Sequence, residues 1–313
     1  MELIRAKILQ GVGGLYTVRV TEQGSSLVGT TLSCRARGVF RHERCTPLPG
    51  DTVLLRPAAE GERKESDFVI EELTERKNAL IRPPLANLDY LFVTMAAAAP
   101  DPILTTVDKL IAIAEFNHIE PVVVITKCEL APEVADALSA LYRKSGFSVF
   151  CLSACESVGI EPLAAFIEEV LPEKIAAFAG ASGIGKSTLL NRLFPNLNLS
   201  TSEISQKIGR GKHTTRKVEL FPLSNREDTG YIADTPGFSM LDFERFDFFS
   251  CEDLPLTYRE FVPHIGSCRY TKCSHTKEDG CAILEAVRSG EIPPSRHESF
   301  CELYSILKQK KKW

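Results

Sequence analysis

No stretch of this 313-residue sequence is long and apolar enough to cross a membrane. The longest apolar run, around Leu91 to Ala99, stops at Pro100 and reaches only half of the roughly 20 residues a spanning helix needs. Met1 to Arg5 offers no apolar stretch ending in small residues, so no export signal is expected and the protein should stay in the cytoplasm. A strong charge bias is missing as well. With 37 basic and 41 acidic residues the formal net charge is −4, so the chain as a whole is no nucleic-acid binder and any such surface must be local. Internal repeats and low-complexity linkers are also absent. Apolar residues are not scarce: 44% hydrophobic and 25% charged is the mix of a soluble protein with real cores, which excludes a disordered or collagen-like chain. The length suits two or three domains. Ten cysteines in a reducing compartment are expected as thiols, and clustered ones are better metal ligands than disulfide partners.

Up to about Lys77 the chain is a series of short extended runs, Tyr16–Val20, Thr31–Ala36, Thr52–Leu55 and Asp67–Ile70, punctuated by turn residues such as Gly24, Gly38 and Gly50. Such spacing without a helical period predicts a small β-barrel or sandwich. Arg35, Arg37, Arg41 and Arg44 crowd one turn with His42 and Phe40. That turn is either a solvated hairpin or a landing site for a phosphate backbone with an aromatic to stack on. From Asn78 to about residue 245 continuous apolar strands (Tyr90–Val93, Pro121–Ile125, Phe147–Leu152, Ile175–Ala179, Tyr231–Ala233) alternate with amphipathic segments (Val107–Glu115, Pro132–Ser145, Pro162–Val170). Strands without internal alternation are buried on both faces, which predicts a doubly wound α/β domain. After Phe246 come a Cys/His cluster, helical spacing over Glu285–Val287 and Glu298–Leu307, and a tail of Lys308, Lys310, Lys311 and Lys312.

Gly180-Ala181-Ser182-Gly183-Ile184-Gly185-Lys186-Ser187 matches the phosphate-loop pattern at every position, between a strand and a helix that begins near Thr188. Backbone N–H groups freed by the glycines surround a phosphate, Lys186 neutralises it and Ser187 ligates Mg²⁺. Asp234-Thr235-Pro236-Gly237 follows a second apolar strand, where Asp234 can hold the magnesium shell and the Gly237 amide can meet a γ-phosphate. Thr126-Lys127-Cys128-Glu129 ends another strand and resembles the guanine-reading [NT]-K-x-D motif, with Glu129 one methylene longer than the usual aspartate. Ser153-Ala154 follows the next strand, where such a pair offers a backbone N–H to the guanine O6. The order is unusual, because the base motifs precede the phosphate loop and Asp234 comes last. Joining the usual ends and cutting elsewhere preserves the core, since termini lie at the surface.

Cys268-x4-Cys273-x-His275-x5-Cys281 gathers three thiols and an imidazole in a short polar span. Soft thiolates with one imidazole favour a single four-coordinate structural Zn²⁺. The segment is too polar to build its own core, so the metal should hold it. Cys34, Cys45, Cys128, Cys151, Cys155, Cys251 and Cys301 lack ligand spacing and read as ordinary core or surface residues, and His42, His118, His264 and His297 show no ligand spacing either.

Together these motifs resemble the circularly permuted ribosome-assembly GTPases of the RsgA (YjeQ) family. The likeness extends to Cys34-Arg35-Ala36-Arg37-Gly38, Pro49-Gly50-Asp51-Thr52-Val53, Arg82-Pro83-Pro84 with Asn87-Leu88-Asp89, and Gly211-Lys212-His213-Thr214-Thr215-Arg216. The resemblance implies a multidomain α/β protein: an OB-fold barrel over 1–77 that binds RNA, a permuted GTPase domain over 78–245, and a zinc-binding α-helical domain over 246–313. It also implies GTP hydrolysis linked to late maturation of the 30S subunit, with 16S rRNA, GTP and GDP as partners and no membrane. A monomer is expected.

Ras-type enzymes orient the attacking water with a glutamine after the D-x-x-G segment, but that place is held here by Phe238, which cannot hydrogen-bond. Slow intrinsic hydrolysis is expected, with the missing group supplied elsewhere. His213 lies where a γ-phosphate-sensing switch belongs, beside Thr214 and Thr215, one of which can complete the magnesium shell. Its surroundings are strongly basic (Lys207, Arg210, Lys212, Arg216, Lys217), so the segment reads as a catalytic switch, a solvated loop, or an rRNA contact that orders His213. In the scheme that follows, docking on 16S rRNA completes the hydrolytic site and hydrolysis releases the protein. A phosphate-loop kinase or ATPase is disfavoured by the base motifs, and a non-hydrolysing RNA-binding module gains some weight from Phe238.

Overall fold

The structure is a computed structural model of the full chain, and it describes residues 3–38, 40, 46–59, 66–195, 197, 218–234 and 249–309. Five strands, β1 (Ile4–Val12), β2 (Leu15–Val20), β3 (Thr31–Ala36), β4 (Thr52–Pro57) and β5 (Phe68–Leu73), form a closed barrel in the order β1-β2-β3-β5-β4. Closure comes from the antiparallel pairing of β1 with β4, and β3 runs parallel to β5 while the other pairs are antiparallel. Of the two architectures the sequence left open, the barrel is realised, and it is OB-like. Alternation explains its core: Ala6 and Ile8, Tyr16 and Val18, and Val53 and Leu55 point inward at period two around Cys34 and Ile70. The pair β6 (Ala79–Leu80) and β7 (Leu85–Ala86) follows.

Next in the chain are β8 (Tyr90–Ala96), α1 (Leu104–Phe116), β9 (Glu120–Thr126), α2 (Pro132–Lys144), β10 (Ser148–Cys151), α3 (Ile160–Val170), β11 (Ile175–Ala179), α4 (Lys186–Leu193), β12 (Glu219–Pro222) and β13 (Tyr231–Asp234). The sheet order is β10-β9-β8-β11-β13-β12, parallel at β9/β10 and β11/β13 with β12 antiparallel at the edge. β8 and β9 are buried at six of seven positions and β11 throughout, the signature of strands covered on both faces. α2 begins with Pro132 in its first turn, where a missing N–H costs nothing, and carries Arg143 and Lys144 in its last turn, facing the negative end of the helix dipole. It buries Ala135, Leu138 and Tyr142, one stripe at helical spacing.

The chain divides into two compact units. One holds Met1–Tyr90, Ala165–Phe178 and Leu193–Phe238; the other holds Leu91–Ala164, Ala179–Arg192 and Ser239–Trp313. The second unit includes α5 (Ala282–Arg288) and α6 (Pro294–Gln309). Helix α6 starts four residues before the spacing at Glu298 suggested, because the proline at 294 pre-sets the first turn. It carries Phe300 into an aromatic cluster, with centroids 5.4 Å from Tyr258 and 5.0 Å from Phe261. Within the same unit Arg296 is buried, pairing with Asp108 of α1 and lying 2.6 Å from Glu260. No described helix is long and apolar enough to cross a membrane.

Candidate nucleotide site and metal centre

The phosphate loop follows β11 and ends in α4, which starts at Lys186. At Gly180 the backbone sits at φ +154°, and a Cβ there would lie 2.3 Å from the Thr94 carbonyl oxygen, so only glycine lets the loop leave β11 this close to β8. Gly185 holds φ +88°, which turns the chain into α4. Ile184 and Leu189 are buried and anchor the loop and helix, while Ser187 is half-buried and Ala181, Ser182, Gly183 and Thr188 are exposed.

The base motifs meet this loop. Thr126 Oγ1 lies 2.5 Å from the Ile184 carbonyl oxygen and 3.1 Å from the Met95 carbonyl oxygen, its single proton shared between the two acceptors. Lys127 takes the left-handed conformation at φ 55°, and its Nζ donates to the Gly183 carbonyl at 2.8 Å and to the Ala99 carbonyl. The aliphatic stem of Lys127 therefore crosses the loop, with its Cε 3.9 Å from the position of a Cβ on Gly185. The Cys128 amide donates to the Leu152 carbonyl at 3.3 Å, which fixes the turn after β9 to the end of β10. Beyond it Ser153 and Val158 exchange backbone hydrogen bonds at 2.9 and 3.1 Å, and the Ser153 hydroxyl accepts from the Glu156 amide at 3.2 Å, closing a tight turn around buried Ala154. Glu129 Oε2 is buried with no hydrogen-bond partner among the described residues. An orphaned carboxylate oxygen costs about 1–3 kcal/mol or more.

Asp234 ends β13 in register with Glu219 of β12. Burial first, and the Asp234 charge second, push the Glu219 carboxyl above its ordinary range. Nothing in the sequence marks Glu219 beyond its place on an edge strand. A pair of carboxylates suits a hard cation with oxygen ligands such as Mg²⁺. Gly237, His213, Thr214, Thr215, Arg41 and Arg44 lie outside the described residues.

Arg35 is exposed on β3, and Arg37 is tied to Glu71 at 2.5 Å, a carboxylate that Arg56 also holds at 2.8 Å. Phe40 is not available for stacking on a base. It is buried in the barrel core, where its ring gains more from leaving water than an exposed position could return.

The four ligand atoms of Cys268, Cys273, His275 and Cys281 lie within 4.8 Å of one another. The Cys268 and Cys281 sulfurs are 3.9 Å apart, and His275 Nδ1 is 3.5 and 3.6 Å from them. A tetrahedron with metal–sulfur bonds of about 2.3 Å and a metal–nitrogen bond of about 2.0 Å needs edges of roughly 3.8 and 3.5 Å, so the cluster fits a metal such as zinc. Burial and the neighbouring sulfurs push the Cys273 thiol up to about 12, a cost that a cation at the centre would reverse. Two supports escaped the sequence. The Glu278 carboxylate accepts from the amides of Ser274 at 2.9 Å and of Thr276 and Lys277 at 3.1 Å, and from the Ser274 hydroxyl. Burial opposes its ionisation, but those donors hold it down at about 2. His297 Nε2 donates to the His275 carbonyl at 2.8 Å, tying α6 to the ligand loop.

A phosphate-loop motif between β11 and α4, a lysine that bridges it to the turn after β9, and the place of that turn ahead of the loop in the chain define a circularly permuted phosphate-loop nucleotide-binding protein. Comparisons with known proteins specify it further. The RsgA GTPase family model matches residues 73–244 and the RsgA N-terminal domain model matches residues 6–63. The chain is 39% identical to the small ribosomal subunit biogenesis GTPase RsgA of Caldanaerobacter subterraneus subsp. tengcongensis, over all of this chain and 98% of that one. It also resembles the crystal structure of YjeQ from Thermotoga maritima (TM-score 0.80, 31% identity, 99% of this chain and 100% of that chain). YloQ, a circularly permuted GTPase, gives a TM-score of 0.77 at 31% identity, covering 100% of this chain and 97% of that one. The chain belongs to the RsgA GTPase family, and it is a GTP hydrolase.

Proposed function

We propose that this GTPase serves small-subunit ribosome biogenesis by binding the 30S particle and its 16S rRNA, hydrolysing GTP in response and leaving once GDP is formed. The function in biogenesis is supported by relatives named for it that match over nearly their whole length. The observation that carries the guanine assignment is the buried Glu129 Oε2, partnerless among the described residues, which the N1–H and 2-amino group of guanine would satisfy. Lys127 covers the base, and Ala154 offers its amide to O6 at the turn that Ser153 closes. The backbone of Gly180 to Gly185, with Lys186, Ser187 and Thr188, takes the phosphates.

Mg²⁺ would be held by Ser187 and Asp234, with Thr214 or Thr215, and would neutralise charge on the phosphates. Gly237 would sense the γ-phosphate. His213 takes the place of the glutamine that Phe238 displaces. Zn²⁺ at the Cys3His cluster holds the C-terminal segment in shape and takes no part in hydrolysis. In this reading residues 1–77 and 246–313 are the rRNA-docking modules around the GTPase core of 78–245, and Arg35, Arg37, Arg41 and Arg44 contribute to the RNA contact. The protein works as a cytoplasmic monomer.

The test is GTP turnover with and without purified 30S subunits. Strong stimulation is expected, and unchanged turnover would refute the coupling. His213→Ala should abolish the stimulated rate; if that rate survives, the residue has no hydrolytic role.

A further inference from the structure

The first unit carries a polar cavity of about 480 Å³ that touches no residue of the phosphate loop, the base motifs or the metal cluster. Its volume lies within the range of small-molecule sites. The floor is the outer face of the barrel at β1. Ala6 and Ile8 fill the barrel core, so at period two Arg5 and Lys7 point the other way, and Lys7 lies opposite Thr52 of β4 in register. Buried Tyr231 of β13 completes the floor, with Lys7 Nζ 5.3 Å from its ring centroid. Arg5, Glu173 and Glu227 are exposed and form the rim.

The floor holds a cation with no anion to neutralise it. Lys7 is half-buried, and among the described residues its ammonium has the Tyr231 ring but no hydrogen-bond or ion-pair partner. A ring face attracts the charge from one side and leaves the N–H donors free. Asp89, the carboxylate that acts on Lys7 most strongly, is already held by Lys77 Nζ at 2.8 Å and by the Ile175 amide at 2.9 Å. Burial therefore pulls the ammonium below its ordinary range, and Asp89 offsets only part of that. The Thr52 hydroxyl beside it has no partner among the described residues, and neither do the side chains of Arg5, Glu173 and Glu227. Donors thus stand free at depth and acceptors stand free at the mouth. With Glu22, two cations and three carboxylates line the cavity, a net charge of −1.

We propose that this cavity binds a basic α-amino acid, its carboxylate meeting Lys7 and Thr52 on the floor and its ammonium groups meeting Glu173 and Glu227 at the rim. One carboxylate and two ammonium groups give such a ligand the single positive charge that balances the lining. An anion alone would satisfy the floor but face the rim carboxylates, and a nucleic-acid backbone meets the same repulsion. An amine alone would find the rim but be repelled by Lys7. An apolar ligand would bury the free donors and acceptors without partners. The assignment uses no residue of the guanine reading and stands apart from it.

The test is calorimetric titration of the full-length, metal-loaded protein with L-lysine, and with propionate and n-butylamine as its two halves. L-lysine should bind, and each half should bind at least about tenfold more weakly. Lys7→Met should lower the affinity for L-lysine by about tenfold or more, and so should the double variant Glu173→Gln with Glu227→Gln. Both glutamates are exposed, so that variant threatens the fold least, and the melting temperature without ligand checks both variants. Saturating GDP should leave the affinity for L-lysine unchanged. Failure of L-lysine to bind, competition with GDP, or full affinity in Lys7→Met would each overturn the proposal. If propionate binds as tightly as L-lysine and the glutamate variant changes nothing, the cavity is a plain anion site and the amino-acid assignment falls.

Discussion

Lys127 Nζ donates to the carbonyl of Gly183 at 2.8 Å across 56 positions of sequence, so the turn after β9 clamps the phosphate loop directly. The bond explains how a rearranged chain order leaves the site intact. What the site requires is that the ends of β8, β9, β10 and the phosphate loop stand side by side, and a parallel sheet supplies that whichever strand comes first.

Replacing Lys127 with alanine removes this clamp and the stem that would cover the base. A hydrogen bond from a charged donor contributes about 1.5–3 kcal/mol, so GDP affinity should fall by roughly 10- to 100-fold. Equilibrium titration checks this. Secondary structure by circular dichroism should not change.

Glu129→Gln separates binding from stability. Among the described residues the wild-type carboxylate oxygen is buried and unpartnered, so the neutral amide should leave the ligand-free melting temperature equal or higher. Affinity for GDP should nevertheless drop by about tenfold or more, because an acceptor for two donors has been lost. A variant that lost stability along with affinity would show a structural role for Glu129 instead.

Much of this was legible from the sequence. The phosphate loop and base motifs are short and local, and the Cys/His spacing fixes which four side chains can converge. Strand positions followed from unbroken apolar runs, as in Val122 to Ile125, because burial on both faces leaves a plain mark. Side-chain partnerships between distant segments were not legible. Nothing in the sequence marks Glu219 as facing Asp234, Glu278 as the acceptor that shapes the ligand loop, or Phe40 as core.

Arg296 is a buried cation of the second unit, raised further above its usual range because Asp108 and Glu260 outweigh the burial penalty. Arg296→Met strands two carboxylates and should destabilise the protein by about 3–5 kcal/mol. Adding Asp108→Asn and Glu260→Gln should recover most of that loss. Denaturant melts of the single and triple variants test the pairing.

The Cys3His cluster should hold one zinc ion per chain, measurable by elemental analysis. Chelation, or Cys273→Ser, should unfold the polar segment around it and expose its backbone to hydrogen exchange, leaving the barrel protected. Glu278→Ala should weaken metal retention by about tenfold or more by releasing the donors that shape the loop.

The central claim is that Glu129 and the glycine-lined loop hold opposite ends of one guanine nucleotide. Calorimetric titration of the purified protein with GDP and, separately, ADP tests it most directly. A preference for GDP of roughly a hundredfold or more is expected, since a site built on hydrogen bonds rejects a base that cannot complete them. Equal affinity for the two would contradict it.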